Sequence, residues 1–369
     1  MHMNILILSR IDITKLDQGG ALRVYNIAKR FADSGNNVTV ITYSYMPNPD
    51  SGYEKLGANF TLIKTSLMKL LFLYLVPLTI KSNVVQVEFV DICFILPFLR
   101  ATGKCIVLDE HGVEIEFSAD KNNALGKKLK LHNYLLTFFL EFLGTKFSSI
   151  ILVCSQIDGA KLRRIYRISE RKIVLVPNGI SEKFFEPIEP YKYGKPAILF
   201  LGSFDHPPNI FAAKFLLTDI IPQIFSQNEE VLFALVGRQP PSWLISCASE
   251  RIKIFGNVDD VRPFIAGAKV VVVPIFHGSG TRIKILESAS MGKPVVSTSK
   301  GAEGLDFLNE HNILIRDNSQ EFVRAILLLL DKPSLAEEIG SNAKELSMRK
   351  YRWSRIVDKA LNAYKNFCY

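Results

Sequence analysis

The sequence predicts an α/β protein made of two doubly wound parallel-sheet domains, and three observations predict it. Short apolar runs alternate with segments of helical period in both halves of the chain, the pattern of strand–helix–strand units. A stretch with three prolines and a glycine, ISEKFFEPIEPYKYGKP at residues 180–196, interrupts that alternation and reads as a linker. Finally, 369 residues with 48% hydrophobic content exceed one core, because single cores stop growing near roughly 250–300 residues.

In the first half, strands are expected at residues 4–8, 37–42, 60–63, 84–88, 105–108, 150–154 and 173–177. Between the first two, residues 21–34 place Val24, Ile27, Ala28 and Phe31 at helical spacing. In the second half the strands fall at 197–201, 231–236, 252–255, 270–274, 294–298 and 312–315, each ending in a turn residue or a polar loop. The tail, 341–367, reads as a helix with Trp353, Ile356 and Ala360 on one stripe that packs against a domain. Doubly wound sheets bind ligands beyond the carboxyl ends of their strands, so the two are expected to face across a cleft that holds the site.

Charge and cysteine usage narrow the partners. The net charge is +9, and residues 118–172 carry eleven Lys/Arg against Asp120, Glu141, Asp158 and Glu170, a local excess of +7. A negatively charged partner is expected there. Nucleic acid is set aside because no basic recognition helix, zinc pattern or RNP-type aromatic pair accompanies the charge, and peripheral contact with membrane headgroups fits at least as well. Five widely spaced cysteines with no CxxC pair, Cys93, Cys105, Cys154, Cys247 and Cys368, read as buried thiols of a reduced, intracellular protein. MHMNILILSR lacks the basic n-region and cleavage site of a signal peptide, so a cytoplasmic chain is expected. The most apolar run, LLFLYLVPLTI at 70–80, is about half the roughly 20 residues that span a bilayer and contains Pro77. Two readings stay open for it, a core segment or shallow insertion at a membrane surface. The same two stay open for LGKKLKLHNYLLTFFLEFLGTKF at 125–147, which mixes lysines with Phe138, Phe139, Phe142 and Phe147.

The motifs lie mainly in the second half. HGSGTRIKILES at 277–288 joins a glycine turn to a helical segment, and such a turn lets backbone N–H groups approach a phosphate at a helix N-terminus. Its spacing is not that of the Walker A loop. The loop SRIDITKLDQGG at 9–20 sets Gly19 and Gly20 before a helix in the same manner. In one order follow VPNGI (176–180), ILFLGSFDHPPN (198–209), ALVGR (234–238), IFGNVDDVRP (254–263), VVVP (271–274), GSGTRIKILES, MGKPVV (291–296) and GAEG (301–304). This ordered set resembles the retaining GT-B glycosyltransferases of the group-1, glycogen-synthase-like family.

The resemblance implies two Rossmann-like domains, residues 1–185 on the acceptor side and 186–347 on the nucleotide-sugar side, with a helix at about 348–369 crossing back onto the first. It implies transfer of a hexosyl group from a UDP- or GDP-linked sugar to a glycan or lipid-linked acceptor, with retention and without a divalent metal or other cofactor. Arg282 and Lys284 would neutralise the diphosphate as its charge grows, the more so because GSFDHPPN lacks the Arg and Lys that many relatives carry there. Glu287 matches the second acid of the family's E-x7-E pair and would accept hydrogen bonds from the ribose diol. Ser279 stands where the first acid is expected, so Ser279, Gly280 and Thr281 would offer amides and hydroxyls instead. Gly202 and Arg238 belong to the donor side, and the loop at Asn257 and Val258 would meet the base through its backbone. His111, just beyond a strand, would hydrogen-bond the donor sugar rather than act as general base, and Glu88, Glu110 and Glu114 nearby are given no nucleophilic role. Asp259 and Asp260 are expected to begin a helix rather than to bind metal. Two alternatives share the architecture, a nucleotide-sugar epimerase and an inactive nucleotide-binding partner protein.

Overall fold

The computed structural model describes residues 2–14, 19–45, 52–116, 118 and 131–368. These fall into two compact units, one of residues up to 118 with 131–178 and 353–368, the other of residues 179–352.

The first unit is an eight-stranded sheet: β1 (Asn4–Ser9), β2 (Asn37–Ser44), β3 (Gly52–Gly57), β4 (Phe60–Ser66), β5 (Val84–Glu88), β6 (Cys105–Glu110), β7 (Ile150–Val153) and β8 (Ile173–Leu175). Their order is β3-β4-β2-β1-β5-β6-β7-β8, parallel except for the β3–β4 pair. Alternation in β1 sorts the core: Ile5 and Ile7 point to one face, Leu6 and Leu8 to the other. The first face is covered by α1 (Gly19–Asp33), the second by α2 (Leu75–Lys81), α3 (Leu96–Ala101) and α4 (Leu131–Phe147), and α5 (Gln156–Tyr166) follows β7. With both faces covered, the strands read as continuous apolar runs rather than as an alternation.

The second unit is a six-stranded, all-parallel sheet, ordered β11-β10-β9-β12-β13-β14. Its strands are β9 (Ala197–Leu201), β10 (Leu232–Gly237), β11 (Ile252–Gly256), β12 (Val270–Val273), β13 (Val295–Ser297) and β14 (Leu314–Ile315). Its main helices are α6 (Pro207–Phe215), α7 (Arg262–Gly267), α8 (Ile283–Ser290), α9 (Ser319–Asp331) and α10 (Pro333–Lys350). The ends of β9 and β10 meet so closely that a Cβ on Gly237 would lie 1.7 Å from the Gly202 carbonyl oxygen, which requires glycine there. The last helix, α11 (Trp353–Phe367), belongs to the first unit, where Tyr364 packs on Phe31 with ring centroids 5.1 Å apart.

Several expectations change. The tail is two helices, broken at Tyr351 and Arg352, and the break is where the chain passes from one unit to the other. Strand β3 escaped the sequence reading because GYEKLG is mostly exposed and carries no apolar run. The proline-rich stretch is packed rather than loose: Tyr191 stacks on Phe264 at 4.8 Å, and its amide donates to the Pro263 carbonyl. As expected, Asp260 stands at the start of α7 and takes one of its free amides, that of Arg262 at 2.9 Å, and the Arg262 guanidinium also holds it at 2.6 Å. Five free thiols do not hold, because α11 carries Cys368 to the start of β6, where it forms a disulfide with Cys105 across 263 residues of sequence. No local spacing could signal that pairing. Cys93 and Cys154 are free and buried.

The two apolar segments are core segments only in part. Leu70, Leu71, Leu75, Leu140 and Leu143 join the core, while Phe72, Val76, Ile80, Phe98, Leu135 and Phe139 lie exposed on the same side of the sheet. No helix among the described residues is long and apolar enough to cross a membrane. Residues 125–130, with three of the lysines of the basic segment, lie outside the described residues.

Candidate functional site

In an open parallel sheet, ligands gather where the strand order reverses, beyond the carboxyl ends of the strands. In the second unit that point lies between β9 and β12, and in the first between β1 and β5. The candidate residues of each unit collect there.

In the second unit, the glycine loop after β12 folds against the first turn of α6. Gly278 and Gly280 have φ of +101° and +75°, a region in which L side chains are strained. A Cβ on Gly278 would come within 3.3 Å of the Pro208 ring. Arg282 turns back on its own loop and donates to the carbonyls of Gly278 (3.0 Å), Ser279 (2.9 Å) and Gly280. Expected to neutralise the diphosphate, Arg282 here spends its guanidinium on fixing its own loop. Lys284, on the first turn of α8, donates to Asn209 Oδ1 at 2.7 Å and lies 4.6 Å from the centroid of the Phe200 ring. Gly202 leaves room for Asn209, whose Cγ would sit 2.8 Å from a Cβ at that position. Arg238 enters from the end of β10, bonding Ser203 Oγ at 3.0 Å with Asp205 at 3.8 Å.

Two cations, one on α8 and one just past β10, thus reach the segment GSFDHPPN after β9, which has no Lys or Arg of its own. Burial first and Arg282 second lower the Lys284 ammonium to a pKa of about 7. Burial raises Glu287 to about 7 as well, against the pull of Lys284 and Lys183. Among the described residues no side chain hydrogen-bonds the Glu287 carboxylate, so its accepting capacity is unspent. Val258 packs on the core beside Asn257, a left-handed residue (φ 55°) whose Oδ1 takes the Gln239 amide at 3.0 Å.

In the first unit, Gly19 and Gly20 open α1. A Cβ on Gly20 would lie 2.7 Å from Ile11 and 3.5 Å from Nδ1 of His111, so the bare glycine lets this helix start close to the histidine. Residues 15–18 of the first loop lie outside the described residues. The imidazole stacks on Phe89 at 4.0 Å, and Phe89 itself holds a φ of 65°. Its Nε2 meets Glu88 Oε2 at 2.8 Å. Behind them runs a buried chain: Tyr364 of α11 donates to Gln86, and Gln86 to Glu88. Burial lowers His111 to a pKa of about 3 and raises Glu88 to about 7, so both groups move toward their neutral forms.

Beside this chain, Arg23 is fully buried and binds Asp109 through Nη2 at 2.7 Å and Nε at 3.0 Å, with Nη1 donating to the Val176 carbonyl at 2.8 Å. Glu88, Asp109 and His111 bring three potential metal-donor atoms within 4.8 Å of one another. In this arrangement those atoms serve Arg23 and one another. Glu110 points to the opposite face, where neither oxygen has a partner among the described residues, and burial with Glu141 nearby pushes its carboxyl well above the usual carboxylate range. Neither it nor Glu114, whose amide donates to Glu141, joins His111.

Asn209, Arg23, Asp109, Gln86 and Tyr364 were not foreseen. For Arg23 a signal existed, since it lies four residues before Ile27 and eight before Phe31 on the apolar stripe of α1. A lone arginine on a buried stripe implies a buried partner. Asn209 carries no such mark.

Residues 195–332 match the family described as glycosyl transferases group 1, and residues 18–184 match glycosyltransferase family 4. Among curated proteins, an uncharacterised 44.6 kDa protein of the cps region of Klebsiella pneumoniae is 22% identical over 184 residues, 46% of this chain and 47% of that protein. The lipopolysaccharide core biosynthesis glycosyltransferase LpsE of Rhizobium meliloti is 31% identical over 115 residues, 31% of this chain and 34% of that protein. The match spans less than half the length of either relative. Among solved structures, sucrose-phosphate synthase from Thermosynechococcus elongatus gives a TM-score of 0.77 at 16% identity, covering 99% of both chains. HepE of Anabaena, in complex with UDP and glucose, gives 0.73 at 15%, covering 99% of this chain and 100% of that one. These two likenesses concern the fold, whereas the family matches concern the sequence. The chain belongs to the group 1 and family 4 glycosyltransferases, and its two parallel-sheet α/β units are those of the GT-B fold.

Proposed function

We propose that this protein transfers a sugar from a nucleoside diphosphate sugar to a lipid-linked or glycan acceptor in the assembly of cell-surface polysaccharide or lipopolysaccharide. The observation that carries the reading is the meeting of Lys284 and Arg238 at the loop after β9, beside a glycine loop held in left-handed backbone. Two cations and a bare loop at the switch point of a parallel sheet suit a diphosphate.

On this reading Lys284 neutralises the diphosphate, Arg282 keeps the loop amides of Ser279, Gly280 and Thr281 in place, and Glu287 takes the ribose hydroxyls. His111 stays neutral and hydrogen-bonds the donor sugar, with Glu88 setting which ring nitrogen carries the proton. Transfer proceeds with retention and without a divalent metal, the departing phosphate taking the acceptor proton. HepE was solved with UDP and glucose, which favours UDP over GDP. The name of LpsE favours a lipopolysaccharide-type acceptor, and the exposed apolar residues Phe72, Phe98, Leu135 and Phe139 suit work at a lipid surface.

The test is incubation with a panel of UDP- and GDP-sugars and bacterial membrane lipids, with EDTA present and products weighed by mass spectrometry. A lipid or glycan product heavier by one sugar is the expected result. Free epimerised sugar nucleotide, or no stabilisation by any nucleoside diphosphate, refutes the reading.

A further inference from the structure

At the other end of the first unit's sheet, where β6, β7 and β8 begin, lies a 380 Å³ cavity lined by Arg100, Lys104, Lys146 and Lys172 and closed on one side by the Cys105–Cys368 disulfide. Ser148 and Ser149 add hydroxyls, and no carboxylate among the described residues lines it. Three of the four cations are held by neutral partners. Arg100 donates to Ser149 Oγ at 2.9 Å, Lys172 to the Lys146 carbonyl at 3.0 Å, and Lys104 to the Ile80 carbonyl at 3.0 Å. Four like charges held around one cavity repel one another unless an anion joins them. The effect is already visible at Lys172, whose ammonium is lowered first by burial and then by Arg100 and Lys146.

We propose that this cavity is a binding site for a phosphate group, that of a membrane amphiphile, distinct from the sugar-nucleotide site. A guanidinium with three ammonium groups and two hydroxyls matches a tetrahedral oxyanion with several acceptors better than it matches a carboxylate. The mouth favours an amphiphile. Phe147 and the half-exposed Phe367 line it, the carbonyl that Lys104 binds belongs to exposed Ile80, and exposed Phe98 stands two residues before Arg100 on α3. A phosphate in the cavity would therefore leave its alkyl part against the apolar helices that cover this face. The proposal does not depend on sugar transfer, since every residue in it lies away from the switch points.

The test compares the full chain with the Arg100→Gln/Lys172→Gln variant and a charge-matched control, Lys55→Gln/Lys359→Gln, whose lysines are exposed on β3 and α11. Calorimetric titration with inorganic phosphate is expected to show at least about tenfold weaker binding in the cavity variant only, the loss of one or two charged hydrogen bonds. Co-sedimentation with phosphatidylcholine vesicles with and without phosphatidic acid separates the two sources of phosphate. Loss of the phosphatidic acid preference in the cavity variant supports the amphiphile. An unchanged preference, with weakened inorganic phosphate binding, overturns the lipid assignment and leaves a site for free phosphate. Equal phosphate binding by all three proteins overturns the site. Lys146→Gln, an exposed position, gives the same readout should the double variant fail to fold, and UDP stabilisation is expected to be unchanged throughout.

Discussion

Lys284 on α8 donates a 2.7 Å hydrogen bond to Asn209 on α6, two residues 75 positions apart that meet at the reversal of strand order in the second unit. The relationship explains how a loop with no cation, GSFDHPPN, is supplied with one. Burial first and Arg282 second lower the Lys284 ammonium to about 7, and neither its neutral partner Asn209 nor the nearby Glu287 carboxylate restores it.

The first expectation concerns pH. A lysine whose folded pKa lies near 7 is charged below that value and neutral above it, so UDP binding weakens as pH rises through about 7. Titration of UDP across that range checks it, and Lys284→Gln should flatten the dependence while weakening binding about tenfold or more.

Glu287 has unspent acceptors and no hydrogen-bond partner among the described residues, so its removal costs the fold little. Glu287→Ala is expected to reduce transfer about 100-fold, the loss of two hydrogen bonds to a charged group, with a melting temperature close to that of the parent. Parent-like transfer by the variant would remove Glu287 from the site.

Arg23 and Asp109 are both fully buried and paired. Arg23→Met strands a buried carboxylate and should destabilise the chain by about 3–5 kcal/mol. Adding Asp109→Leu should recover much of that in urea unfolding, because the uncompensated charge goes too. A double variant no more stable than the single one would show that the pair acts through other contacts.

His111 titrates near 3 in the folded protein and near 6.5 when unfolded. Between these values the unfolded chain binds the extra proton, so this group's contribution lowers stability as pH falls from about 6.5 toward 3. His111→Asn should lessen the acid sensitivity of unfolding; an identical acid profile would mean that other groups dominate it.

The legible part of this protein was what local pattern carries. Thirteen of the fourteen strands follow from apolar runs because both sheets are covered on two faces, and burial on both faces leaves an apolar signature in the chain itself. The exposed edge strand β3 has no such signature. The glycine loop and His111 were legible as residues beyond strand ends, where ligands meet such sheets, whereas Lys284 and Glu287 were singled out through the resemblance to a known family.

What only the tertiary structure decided is everything that depends on residues far apart in sequence coming together. The Cys105–Cys368 bond, the Tyr364–Gln86–Glu88–His111 chain and the Arg23–Asp109 pair each join elements separated by between 23 and 278 positions. The return of α11 to the first unit creates the first two of them. The inward turn of Arg282 is a local decision of the structure, within five residues, in which the guanidinium is held by carbonyls of its own loop. Sequence periodicity records which face of an element is buried. It does not record which distant side chain shares that burial, and here the polar chemistry of the candidate site is assembled from such pairs.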